Sequence, residues 1–365
     1  MALWKNMKKF AGNWSIQSSF SGLLFTFYFL LCLTGCSSQW SIRAEESVTN
    51  LQWPAPPEQP KVRFLMSVKG FDRERSAQTV LKTLVYGLQN EENNFGLPVA
   101  VSTGRDGRIA VGDIGRSCVH LYLPAERKYM RLTHAGDGEF RSPVGVAFDD
   151  DLRLYVADSF LGKVFVFGSD GIFLSEFGQV GNGGLKRPTG LAFGQENKLL
   201  YVVDTPASKV YVFNKEGKVV FSFGERGEEE AKFNYPTHIF LVGNGNLYVT
   251  DALNFRVEVF DSTGHFIRSF GRHGDRLGDI AMPKGIAADK GGTIYLADAL
   301  FDTLQVFSPE GEFLFEVGSR GSENGEFWLP SGIFIDEGDK LYVCDPYNHR
   351  IQVFHILEKD EKKGL

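Results

Sequence analysis

Along most of the chain, apolar and polar positions alternate in runs of about five residues, and Gly, Asp and Ser break the runs. Lys163-Val164-Phe165-Val166-Phe167 is one example. Alternation with a period of two predicts a half-buried or fully buried strand. Four such runs make a unit: Val144–Phe148, Leu152–Ala157, Lys163–Phe167 and Ile172–Phe177. The unit then recurs. Its leading prolines are Pro98, Pro143, Pro188, Pro236, Pro283 and Pro330, spaced 45, 45, 48, 47 and 47. An apolar residue stands three before each proline: Phe95, Phe140, Leu185, Phe233, Ile280 and Phe327. An Asp ends every second run: Asp113, Asp158, Asp204, Asp251, Asp298 and Asp345. Gly171, Gly217, Gly264 and Gly311 stand in the turns before the fourth runs, where a tight hairpin requires positive φ. A fixed period of this length, with four short strands per unit, predicts an all-β repeat in which each unit is one blade of a ring.

The sixth unit has only three runs, ending at Phe354, before a charged tail at 358–365. The missing fourth strand is expected from the other end of the ring, at Lys61–Val68. Pairing that strand with the last blade closes the circle without leaving an open seam. The ring therefore spans 61–357. One connection is longer than the others. Within 70–94, Ala77, Val80, Leu81, Leu84, Val85 and Leu88 fall at helical spacing, with Ser76 as N-cap. This predicts an inserted amphipathic helix. Its stripe either packs on the rim or offers Val80, Leu81, Leu84 and Leu88 to a partner.

The last unit is the cleanest copy. It runs from Pro330 through Leu341-Tyr342-Val343-Cys344-Asp345 and Asn348-His349-Arg350 to Ile351-Gln352-Val353-Phe354. It resembles the NHL repeat, with Arg in the third signature position. The resemblance implies a six-bladed β-propeller of four-stranded NHL-type blades. It leaves function open, because one fold hosts many roles.

The 32 Phe suit such a ring, since every sheet is covered on both faces. Upstream, Lys5, Lys8 and Lys9 precede the apolar run Leu23–Leu33 and then Leu33-Thr34-Gly35-Cys36. This resembles a lipoprotein signal peptide, 1–35, with Cys36 as the lipidated N-terminus. Ser37 after the cysteine implies delivery to the outer membrane, facing the periplasm. Residues 36–60, with Pro54, Pro56, Pro57 and Pro60, are expected to be a semi-extended tether. Removal of 1–35 takes away three Lys and no acid, leaving 36 basic and 45 acidic residues, a formal charge of −9. That balance argues against nucleic acid as a partner. Cys118 and Cys344 fall in adjacent blades of a closed ring, at different strand positions. Strict disulfide geometry leaves their pairing open.

A residue present in all six units is read as structure, so the six Asp are expected to accept backbone N–H groups. Departures from the repeat are candidates for function. His238 stands where the other units carry Ala100, Gly145, Gly190, Gly285 and Gly332. Thr189, Thr237, Lys284 and Ser331 stand one residue earlier and are expected near the same channel mouth. Arg272 and His273 give one fourth-to-first loop a basic character, and Gly224–Glu230 gives its neighbour an acidic one. By propeller convention these loops share the top face with the second-to-third loops. Peptidyl-hydroxyglycine lyases resemble the repeat and hold zinc with channel histidines, but a catalytic zinc needs three ligands and only His238 lies on a first strand. No catalytic residue, metal or cofactor is assigned. The reading is a monomeric, lipid-anchored cell-envelope binding or scaffold protein whose top face takes a protein, peptide or glycan. The alternative is a metal-dependent propeller enzyme, lyase or lactonase-like, with its site at the central channel.

Overall fold

The computed structural model describes residues 39–46, 50–73, 93–243 and 245–357. They form six antiparallel sheets in sequence order, each strand paired with the next. Blade 1 comprises Pro98–Thr103, Ile109–Asp113, Cys118–Leu123 and Lys128–Leu132. Blades 2 to 5 begin on inner strands Pro143–Phe148, Pro188–Phe193, Pro236–Leu241 and Pro283–Ala288. Blade 6 holds Ile333–Ile335, Lys340–Asp345 and Arg350–Ile356. The expected turn glycines take φ of +81°, +74°, +86° and +90° at Gly171, Gly217, Gly264 and Gly311.

The ring closes as the pattern requires. Val62–Arg73 pairs antiparallel with Arg350–Ile356, placing Val62 opposite Ile356 and Val68 opposite Ile351. This strand is longer than expected and takes in Gly70–Arg73, the start of the expected insertion. The helix expected over Ala77–Leu88, with Val80, Leu81, Leu84 and Leu88, lies outside the described residues. Helical structure among the described residues is limited to short 3-10 turns such as Ala252–Asn254 and Pro346–Asn348.

The stretch expected to be a free tether is partly built into the ring. Trp40–Glu46 adds a fifth strand to blade 6, and Gln52–Trp53 pairs with the start of the same closing strand. Trp53 packs edge-on against Phe354 at 5.7 Å, and Trp40 lies 4.9 Å from Tyr129 of blade 1. These aromatic contacts outweigh the extended bias of the prolines. Cys36 and the segment before it lie outside the described residues.

The six Asp do what their repetition implies. Asp158 accepts from the N–H groups of Arg141, Ser142, Phe160 and Leu161 at 2.7–3.0 Å. Asp298 accepts from Ala281, Met282 and Leu300. Each carboxylate thus ties the loop that enters its blade, and in several blades also the second-to-third loop. In blades 4 and 6 the signature side chains extend this tie. Asn348 and Arg350 bridge Asp345 to the carbonyls of Gly321, Glu323 and Glu326. Asn254 and Arg256 repeat the pattern around Asp251. In blade 2 Lys163, five residues after Asp158, pairs with Glu176 rather than with the Asp. Cys118 and Cys344 are both buried and free.

Candidate functional site

Two regions hold chemistry that the repeat does not require: the central channel and the top-face loops.

The six inner strands converge on the channel at the third residue of each leading motif. There the backbones approach so closely that only glycine or alanine fits in five blades. A Cβ on Gly145 would lie 2.1 Å from the Thr189 carbonyl oxygen, and one on Gly332 would lie 2.4 Å from that of Val99. Direct inter-blade bonds mark this constriction, from Gly285 N–H to Ser331 C=O and from Gly332 N–H to Val99 C=O. His238 is the sole residue at this level with a side chain larger than a methyl. It is half-buried and lines the channel wall. Its Nδ1 is shielded from solvent and makes no hydrogen bond. Burial, and after it the Lys284 charge, pushes the imidazole down to about 3, so it is neutral at physiological pH.

Beneath the constriction the channel widens into a cavity of about 550 Å³. Its lining runs from His238 and the glycines down to the first-to-second hairpins, including Arg105, Asp150, Gln195, Lys290 and Asp339. The cavity therefore opens on the hairpin face, opposite the face expected from sequence. Thr189, Thr237, Lys284 and Ser331 do not line it. The Thr189 hydroxyl bonds that of Thr205 at 3.0 Å, and the Ser331 hydroxyl donates to Val99 C=O at 3.3 Å. Thr189 is thus tied to the second-to-third loop of its own blade, and Ser331 to the inner strand of blade 1. Thr237 Oγ1 is buried without a partner. Burial lowers the Lys284 ammonium, and Asp298 partly offsets this.

Arg272 and His273 stand in the loop leading into blade 5. Arg272 Nε bonds Asp279 Oδ1 at 2.6 Å, within its own loop. The His273 ring packs 4.1 Å from Phe255. In the acidic neighbour loop, Glu225 and Glu229 share Lys232. Arg272 is thus paired within its own loop, the acidic loop with four Glu against Arg226 and Lys232 keeps a net negative charge, and neither Arg272 nor His273 lines the cavity with His238.

What sequence reading missed on the top face is apolar. Among the described residues, ten of the sixteen exposed large apolar side chains belong to second-to-third or fourth-to-first loops. Phe160, Leu253, Leu300 and Tyr347 occupy one register, two residues after the blade Asp, and Phe160 is 76% exposed. Tyr235 and Met282 stand just before their prolines, and Trp328 stacks near Tyr347 with centroids 5.6 Å apart. The remaining six lie on or beside outer strands. The signal was available in the repeat: a turn position that would tolerate any polar residue holds Phe, Leu, Leu and Tyr.

Residues 327–354 match the NHL repeat. The chain is a six-bladed β-propeller that carries an NHL repeat in its last blade. No curated protein sequence matches it. Among solved structures, virginiamycin B lyase from Staphylococcus aureus with quinupristin gives a TM-score of 0.54 at 13% identity, covering 74% of this chain and 97% of that one. An auxiliary nutrient binding protein from Bacteroides ovatus gives 0.54 at 15% identity, with 72% and 70% covered. At these identities the likeness is one of fold. Neighbours of this propeller thus include both an enzyme and a binding protein.

A metal site does not emerge around His238. Among the described residues, the one group of three His, Cys, Asp or Glu side chains close enough to share an ion is Asp149, Asp150 and Asp151. Those carboxylates are already matched. Asp149 bonds Arg153 and the Tyr155 hydroxyl, while Lys198 and Lys215 neutralise Asp150 and Asp151.

Proposed function

We propose that the protein is a binding or scaffold protein of the bacterial cell envelope, whose top face docks a protein or peptide through apolar side chains. The observation that carries this reading is the concentration of exposed Phe160, Tyr235, Leu253, Met282, Leu300, Trp328 and Tyr347 on that one face. An exposed apolar patch on a rigid scaffold is the usual mark of an interaction surface. The aliphatic members favour a polypeptide over a glycan, because sugars stack on flat aromatic faces and gain little from Leu or Met. Arg141, Lys186 and Arg187 are exposed on the same face, beside Phe160 and Tyr235, and Arg187 donates to the Tyr235 hydroxyl at 3.2 Å. They suit acidic groups at the rim of the partner.

Lipidation of Cys36 on the outer membrane belongs to the same proposal. It rests on the apolar run and Leu33-Thr34-Gly35-Cys36. Cys36 stands four residues before Trp40, a span of at most about 14 Å. Trp40 N–H bonds Arg127 C=O at 2.7 Å, beside a turn of blade 1 on the hairpin side.

The test is a crosslinked pull-down of full-length protein from native envelopes, beside a Phe160→Ser/Leu253→Ser/Leu300→Ser/Tyr347→Ser variant and a Cys36→Ser variant. The quadruple variant is expected to stay folded and lose the partner. Equal recovery by both would sink the top-face reading. Unchanged membrane association of Cys36→Ser would sink the anchor.

A further inference from the structure

The hairpin-face cavity is independent of the top-face loops and has the features of a small-molecule site. Its volume of about 550 Å³ lies within the usual range for such pockets. Its walls are largely apolar. On the side of blades 2 and 3 they are built by Ala147 and Ala192, which leave space. On the side of blades 4 and 6 they are built by Phe240 and Phe334, whose rings meet edge to face at 6.0 Å. These two belong to non-adjacent blades. They reach each other because blade 5 has the small Ala287 at the matching position. At the inner end the lining passes to the glycine level and to His238. The rim is polar, with Arg105, Gln195 and Lys290 among its residues.

A neutral imidazole has one donor and one acceptor nitrogen. Here Nδ1 is shielded and unpaired, while the ring as a whole is only half-buried and lines the cavity. An unpaired buried polar atom of this kind is costly, and nothing in ring closure requires it, since five blades manage with Gly or Ala. We infer that the cavity is a binding site for a flat, mainly apolar small molecule of phenol type. Its ring lies against Phe240 and Phe334, and its hydroxyl pairs with His238. A hydroxyl both donates and accepts, so it satisfies either tautomer. Entry is from the hairpin face, away from the partner proposed for the top loops. The burial that keeps His238 neutral disfavours a charged carboxylate or ammonium group at the same depth.

The probe is 2-naphthol, titrated into full-length protein by calorimetry, with naphthalene as the hydroxyl-free control. 2-Naphthol is expected to bind with 1:1 saturation, about tenfold tighter than naphthalene, the difference of one buried hydrogen bond. His238→Phe keeps a ring at the inner end but removes the nitrogens, and is expected to abolish that preference. Gly243 lies at the rim, and a Cβ there meets nothing within 4 Å. Gly243→Trp therefore narrows the mouth without disturbing the core, and is expected to weaken both ligands. The quadruple top-face variant is expected to bind 2-naphthol like the parent, which separates this site from the docking surface. Absence of saturable 2-naphthol binding to folded parent protein overturns the inference. So does a preference for 2-naphthol that survives His238→Phe, or affinity untouched by Gly243→Trp.

Discussion

The two faces of the ring are built on opposite plans. On the top face the ties lie beneath the loops. Buried carboxylates such as Asp158 and Asp345 hold the loop backbones from inside, and the side chains at the loop tips are left over. On the hairpin face the tips themselves are the ties. Lys198 of blade 3 bonds Asp150 of blade 2 at 2.8 Å, and Lys290 of blade 5 bonds Asp339 of blade 6 at 3.2 Å. Arg108 of blade 1 reaches the Ser169 carbonyl of blade 2 at 2.7 Å. Where a loop is secured from within, its outer residues are free to serve a partner. Where the outer residues secure the ring, the free space lies in the channel they surround.

The difference is tested most severely at Asp345. Its side chain is fully buried and accepts from Trp328 N–H, Asn348 and Arg350. Asp345→Ala leaves Arg350, itself buried, without its carboxylate. The expected loss is about 3–5 kcal/mol, read by chemical denaturation. A loss below about 1 kcal/mol would mean that the loops are not held from inside. A smaller effect is expected at Glu258, under the loop into blade 4. Burial pushes its carboxyl up to about 8; Arg256 opposes the shift and Asp251 adds to it. An acid raised in the folded state keeps its proton after the unfolded chain has lost it. Its contribution is therefore complete below about 4.5 and is lost as pH rises toward 8. The equivalent residues are Gln305, which donates to the Asp279 carbonyl, and Gln352, which accepts from Gly325 N–H. Glu258→Gln is expected to flatten the fall in stability between pH 5 and pH 8, by on the order of 1–3 kcal/mol at the upper end. An unchanged pH profile would place the titrating group elsewhere.

The ring itself was legible because its signals repeat. Each Pro, Asp and turn Gly is confirmed by five others, and the missing strand of blade 6 had one sequence match, at Lys61–Val68. Trp40–Glu46 gave no such signal. It occurs once, beside a proline-rich stretch, and its placement beside Val62–Arg73 comes with a contact between Trp40 and Tyr129 that no local pattern encodes. His238 was legible as a departure from glycine, but the side of the constriction that widens was not. That depends on Phe240, Ala287 and Phe334 meeting across three blades. Arg272 and His273 stood out by charge, yet Asp279, seven residues beyond Arg272, neutralises it within the folded loop. The apolar tips were hidden by the logic that found the fold. They stand two residues after the structural Asp, where neither charge nor a departure from glycine marks them.

The finest distinction between the faces is a pair of single changes whose effects on stability are both small and opposite in meaning. Lys215 on the hairpin face contacts Asp150 and Asp151 and is partly buried. Lys215→Ala is expected to cost up to about 1 kcal/mol, with most of that difference gone in 1 M salt. Phe160 on the top face is exposed and holds nothing in place, so Phe160→Ser is expected to change stability by less than about 0.5 kcal/mol in any salt. Partner recovery should reverse the ranking, falling with Phe160→Ser and standing unchanged with Lys215→Ala. Comparable loss of stability in both variants would make the Phe160 ring a packing element, and the division between a face that binds and a face that fastens would no longer hold.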